Sequence, residues 1–127
     1  VRAIDERDLW TNHRFATTLL VVRSSLAKQH PEVVAALEQA NRESVSWLNQ
    51  NPDQGRLLVN QELKRLSGKS LSDKLIRAGW ERLSFSSEID TDSLKEFAGA
   101  LRAAGYLKSA NVPLSDMIGR SREVVRP

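Results

Sequence analysis

Phe15-Ala16-Thr17-Thr18-Leu19-Leu20-Val21-Val22-Arg23 is the stretch on which the fold turns. Phe15 and Thr17 alternate with Ala16 and Thr18, and from Leu19 to Val22 both sides are apolar, the pattern of a strand buried on two faces. Thr, Val and Phe suit a pleated surface. A fully buried helix segment would show the same short apolar run. The β-branched residues and a new helix start at Ser24 or Ser25 favour the strand over 15–23. Such a strand needs partners. Either Val1–Asp8, with a short strand around Arg2–Ile4, folds back beside it, or two copies of the chain pair or swap through it. Pairing within one chain covers only one edge, so self-association into a homo-oligomer is the expectation.

Downstream of Arg23 every signal is helical. A short turn runs from Leu26 to Gln29, and Pro31 and Glu32 then open a helix over 31–50, proline at a first helical position and an acid near the positive end of the dipole. Its expected inward stripe is Val33, Val34, Leu37, Ala40, Ser44, Trp47 and Leu48. Asn51-Pro52-Asp53 ends that helix and starts the next, 52–67, with Leu58, Val59, Leu63 and Leu66 inward and Ser67-Gly68 as the stop. Ser70 to Asp73 resembles a capping box opening a helix over 71–83, with Leu71, Leu75 and Ala78 on one side. Asp90 or Thr91 caps the last long helix, 91–104, on the stripe Leu94, Phe97, Ala98 and Leu101. Gly105 with Tyr106 and Leu107 predicts a Schellman ending. Beyond it come a linker at Lys108–Pro113, at most a short helix at Leu114–Ile118, and a loosely held tail from Ser121. The fold class expected is therefore mostly α with one or two short β-strands, in a single domain of 127 residues.

The net charge is +3 and the pI about 9.6. The 19 Lys and Arg are spread from Arg2 to Arg126 among 16 acids, without the basic face and stacking aromatics of a nucleic-acid binder, so no nucleic-acid partner is expected. No stretch approaches the ~20 apolar residues of a membrane helix. Cysteine is absent, which removes disulfide and thiolate chemistry and suits an oxidising compartment. The chain opens at Val1 without a charged-then-apolar leader. The expectation is that a targeting segment was removed or that the chain starts inside a longer protein.

The order of signals is familiar. A segment ending Asp8-Leu9-Trp10 precedes Phe15-Ala16-Thr17-Thr18, and His30-Pro31-Glu32-Val33-Val34 opens a long helix. Trp47-Leu48-Asn49-Gln50-Asn51-Pro52 follows, then Lys64-Arg65-Leu66-Ser67-Gly68-Lys69. Glu81-Arg82-Leu83-Ser84-Phe85-Ser86 precedes a helix closing on Ala104-Gly105-Tyr106-Leu107. From about Asp5 to Ile118 this resembles the C-terminal part of the periplasmic substrate-binding proteins of ABC importers, in the nitrate, aliphatic sulfonate and taurine group. The resemblance implies a partial lobe of a two-lobed α/β fold, and capture in the full-length parent of a small anion for delivery to an ABC permease. It also implies a periplasmic or other extracytoplasmic location, and that most ligand contacts lie outside the matched part. The alternative is a small helical protein–protein interaction domain with no small-molecule ligand.

By position in that family, Thr17 and Thr18 match a hydroxyl pair where the chain crosses between lobes, and Trp10 and Phe15 match apolar positions beside it. Either hydroxyl could donate to an anionic oxygen, while Thr also simply suits a strand. Arg14 would supply charge-assisted recognition of a sulfonate or nitrate, or stand as an exposed turn residue. His13 and His30 lack metal-ligand spacing, and no phosphate loop, catalytic triad or zinc-binding helix motif is present. No enzyme activity, metal or cofactor is expected.

Overall fold

A computed structural model describes residues 4–108 and 114–118. Their order is a 3-10 turn at Glu6–Leu9, then α1 (Ser24–Gln29), α2 (Pro31–Gln50), α3 (Pro52–Ser67), α4 (Asp73–Trp80), α5 (Thr91–Ala103) and α6 (Leu114–Met117). The described residues contain no strand, which corrects the mostly α fold with one or two β-strands and the partial α/β lobe expected from sequence. Residues 14–23 run without helix, strand, turn or bend. No backbone–backbone hydrogen bond among the described residues involves Phe15–Val22. The residue types favour a strand, but a strand borrows its hydrogen bonds from a neighbour whereas a helix carries its own. No described backbone supplies them here. Nor is it buried, since Leu20 is 59% and Val21 81% exposed. The short strand expected around Arg2–Ile4 falls largely outside the described residues, as do most of the Lys108–Pro113 linker and the tail from Ser121.

The chain divides into two compact units, Val1–Leu20 with Glu88–Pro127, and Val21–Ser87. In the second, α2 begins on Pro31 and α3 on Pro52, and Gly68 at φ 75° closes α3 with its N–H on the Lys64 carbonyl. Helix α4 starts at Asp73, behind Ser72 rather than Ser70, and ends at Trp80, short of the expected 71–83. A turn at Glu81 and Arg82 follows it. Asn60 holds the connection. Its Oδ1 accepts from Leu71 N–H and its Nδ2 donates to Leu71 C=O, both at 2.8 Å, as a neighbouring strand would. Trp80 packs on Phe85, ring centroids 4.8 Å apart.

The inward faces are rotated from the expected ones. Along α2 the half-buried positions are Val34, Glu38, Asn41, Val45 and Leu48, while Val33, Leu37 and Trp47 are exposed. On α3 Gly55 is buried and Arg56, Asn60 and, as expected, Leu63 are half-buried, with Leu58, Val59 and Leu66 outside; on α4 Ile76 is buried while Leu75, like Leu71 ahead of the helix, is not. The face of α2, which keeps Val34 and Leu48, has turned by about half a residue, roughly 50° on a helix, and that of α4 by about one residue, roughly 100°. Gly55 explains much of this. Trp80 and Leu48 close over it so tightly that a Cβ there would lie 2.9 Å from the Trp80 ring and 3.0 Å from Leu48. That contact holds Leu48 inward, as expected, and leaves Trp47 outside. Along the outer side of α3 the Glu62 carboxyl is held below its ordinary range by its hydrogen bonds from Arg65, with slight desolvation opposing.

In the first unit Asp90 caps α5, its carboxylate accepting from Ser93 N–H at 3.0 Å. Ala98 is buried, Leu94 and Leu101 half-buried. The end is the expected Schellman turn: Gly105 at φ 79°, Tyr106 N–H to Leu101 C=O at 2.9 Å and Gly105 N–H to Arg102 C=O at 2.9 Å.

Candidate functional site

Ser93 organises the most enclosed part of the first unit. At the third position of α5, its hydroxyl donates to Asp90 C=O at 3.1 Å and accepts from Ala16 N–H at 3.3 Å. The second bond pins the start of the 14–23 stretch to the mouth of the helix. Next to it three aromatic rings form a stack. Trp10 lies 5.2 Å from Phe15 at 15° between planes and 6.2 Å from Phe97 at 28°. Thr11 ties the same neighbourhood to α5, its N–H and hydroxyl donating to the Glu96 carboxylate at 3.5 and 3.3 Å. Together with Glu6, Ala16 and Leu94, Ser93 and the three rings line a cavity of about 110 Å³.

Of the residues named from sequence, Trp10 lines this cavity and Phe15 joins it. Thr17, Thr18 and Arg14 do not; all three are exposed. Glu6, Ser93 and Phe97 were not anticipated as site residues. Asp90 was legible as the helix cap, but nothing in the local pattern marks Ser93, whose partner Ala16 lies 77 residues away. Chemically the cavity suits an apolar or aromatic group. Its one charged lining residue is the acid Glu6, and the Ser93 hydroxyl proton is committed to Asp90. The two threonines and Arg14 are not gathered into an anion-binding geometry.

A second cavity, about 210 Å³, opens within the other unit between Asp53, Arg56, Leu57, Asn60, Asp73, Ile76 and Arg77. Arg56 is largely covered and paired with Asp53. Two guanidiniums against two carboxylates leave the lining without net charge, and Asn60 spends one donor and one acceptor on Leu71. Elsewhere His13 lies 3.7 Å from Asp8 and His30 3.3 Å from Glu32. Among the described residues no group of three or more His, Cys, Asp or Glu is placed to hold a metal ion. No described helix is long and apolar enough to cross a membrane.

No family model, no curated protein and no solved structure matches the chain.

Proposed function

We propose that the chain is part of a solute-binding protein of an ABC importer, one that captures a small oxyanion or sulfonate (nitrate, taurine or another alkanesulfonate) outside the cytoplasmic membrane. The observation that carries the reading is the ordered series of sequence signals from Asp8-Leu9-Trp10 to Ala104-Gly105-Tyr106-Leu107. Its proline and glycine steps fall at helix boundaries: Pro31 opens α2, Pro52 opens α3, Gly68 ends α3 and Gly105 follows α5. The scattered positions of Thr17, Thr18 and Arg14 accord with it, because the resemblance puts most ligand contacts outside the matched part. A small ligand is held by burying most of its surface, and neither cavity described above does that for an anion.

The test is calorimetric titration of the product of the complete natural reading frame with nitrate, taurine and alkanesulfonates, beside the 127-residue chain. Micromolar binding by the former and none by the latter is the expected result. A reading frame encoding nothing beyond this chain, or a longer product indifferent to all three ligands, would overturn the proposal. A second reading, a helical protein–protein interaction domain, is favoured by the uncovered line Val33, Leu37 and Trp47 on α2 and by Leu66 on α3. Its mark would be a longer product that binds no anion.

A further inference from the structure

Thr17–Val22 combines three properties that coincide nowhere else among the described residues. Its backbone is free of helix, turn and bend, its N–H and C=O groups make no hydrogen bond with any described residue, and its side chains are uncharged, rich in β-branching and exposed. Proline and glycine, which would blunt such an edge, are both missing from it. Ala16 is already engaged by Ser93, so the open edge begins at Thr17; Arg23 leads into α1 and closes it.

We infer that Thr17–Val22 is a self-pairing segment, and that the strand completing it is the same segment of a second copy, running antiparallel. The sequence selects the orientation. Antiparallel pairing about Leu20 sets Thr18 against Val22, Leu19 against Val21 and Leu20 against its own copy, all uncharged pairs of types that stabilise a sheet. In that register Arg23 faces Thr17, and no two arginines stand directly opposite. Parallel pairing in register would stack Arg14 on Arg14 and Arg23 on Arg23 at the strand spacing of about 4.8 Å, where like charges repel. A two-fold axis through the Leu20–Leu20 pair makes the contact self-complementary and closed. The inference is independent of the transport reading, since it concerns this chain's own edge.

Static light scattering across concentration, paired with infrared spectroscopy, tests it. The apparent mass should rise from 14.3 kDa towards twice that value, with an intermolecular strand band growing in step. Proline accepts an extended backbone but removes the N–H donor, and neighbouring N–H groups point to opposite edges. At least one of Leu20→Pro and Val21→Pro should therefore hold the chain at monomer mass. Because neither position is helical, helical circular dichroism should be kept. Leu66→Lys, which removes an exposed apolar residue of α3 far along the chain, should leave the mass curve unchanged. A monomer at every concentration, a mass increase without the strand band, indifference to both prolines, or loss of association in Leu66→Lys would each overturn the inference.

Discussion

At Gly55 a hydrogen stands where any other residue would press a methyl group into the Trp80 ring. Two effects compete in Gly55→Ala. Helix propensity gains about 1 kcal/mol, while overpacking costs about 1–3 kcal/mol. The indole is itself held against Phe85, so its room to yield is small and the net effect should be a loss. Gly99, inside α5, supplies the contrast, because a methyl group added there would meet nothing within 4 Å. There the propensity gain is unopposed, and Gly99→Ala should stabilise by about 0.5–1 kcal/mol. Denaturant melts of the two variants should move in opposite directions. None of this was legible in the sequence, where Gly55 reads only as a weak helix residue. Thr17, Thr18 and Arg14 were singled out by resemblance, which carries position but not the packing that would gather side chains around a ligand. Trp10 was legible as an aromatic beside the 14–23 stretch. Its stacking on Phe97 was not, because no local pattern links residues that far apart.

Helix boundaries and helix faces differ in what determines them. The boundaries of α2, α3 and α5 are local matters of proline, cap and glycine, and sequence and structure agree closely on them. The inward face is set by what packs on it. Helix α2 has apolar residues at both Val33, Leu37 and Trp47 and at Val34, Val45 and Leu48, a stripe wide enough for either rotation. The choice fell to the Gly55–Leu48 contact, which periodicity cannot see. It follows that Leu48→Ala should destabilise the chain clearly, by about 2–3 kcal/mol, through loss of packing over Gly55. Leu37→Ala, at a position 40% exposed, should cost well under half as much. Chemical denaturation of the pair, followed by circular dichroism, checks the order; equal losses would put the core on the other side of α2. The stretch 14–23 shows the same division. The buried strand expected over 15–23 did not form, because a ladder and burial depend on neighbours the sequence does not declare.

Among the apolar residues described, only Ile76 and Ala98 reach the buried class, one in each unit. With so little apolar surface removed from water, each unit should have a shallow denaturant dependence and its own midpoint. Tryptophan separates them, because Trp10 belongs to one unit and Trp47 and Trp80 to the other. The fluorescence transition of Trp10→Phe, which reports Val21–Ser87, should not coincide with that of the double variant Trp47→Phe/Trp80→Phe, which reports the first unit. Superimposed curves would show a single cooperative body. The two units also differ in how their chain segments are arranged. Val21–Ser87 is continuous, whereas its companion is made from the two ends of the chain, joined by Ala16 to Ser93 across 77 residues and by Thr11 to Glu96 across 85. During synthesis the ribosome therefore delivers a complete set of partners for α2, α3 and α4 before α5 exists. Trp10 and Phe15 emerge before it and must wait; at about 5–20 residues per second, the roughly 80–90 residues to Phe97 take roughly 4–17 s. For that interval the nascent chain carries two aromatic side chains still waiting for Phe97. It is then, more than in the finished protein, that a chaperone would find something to hold.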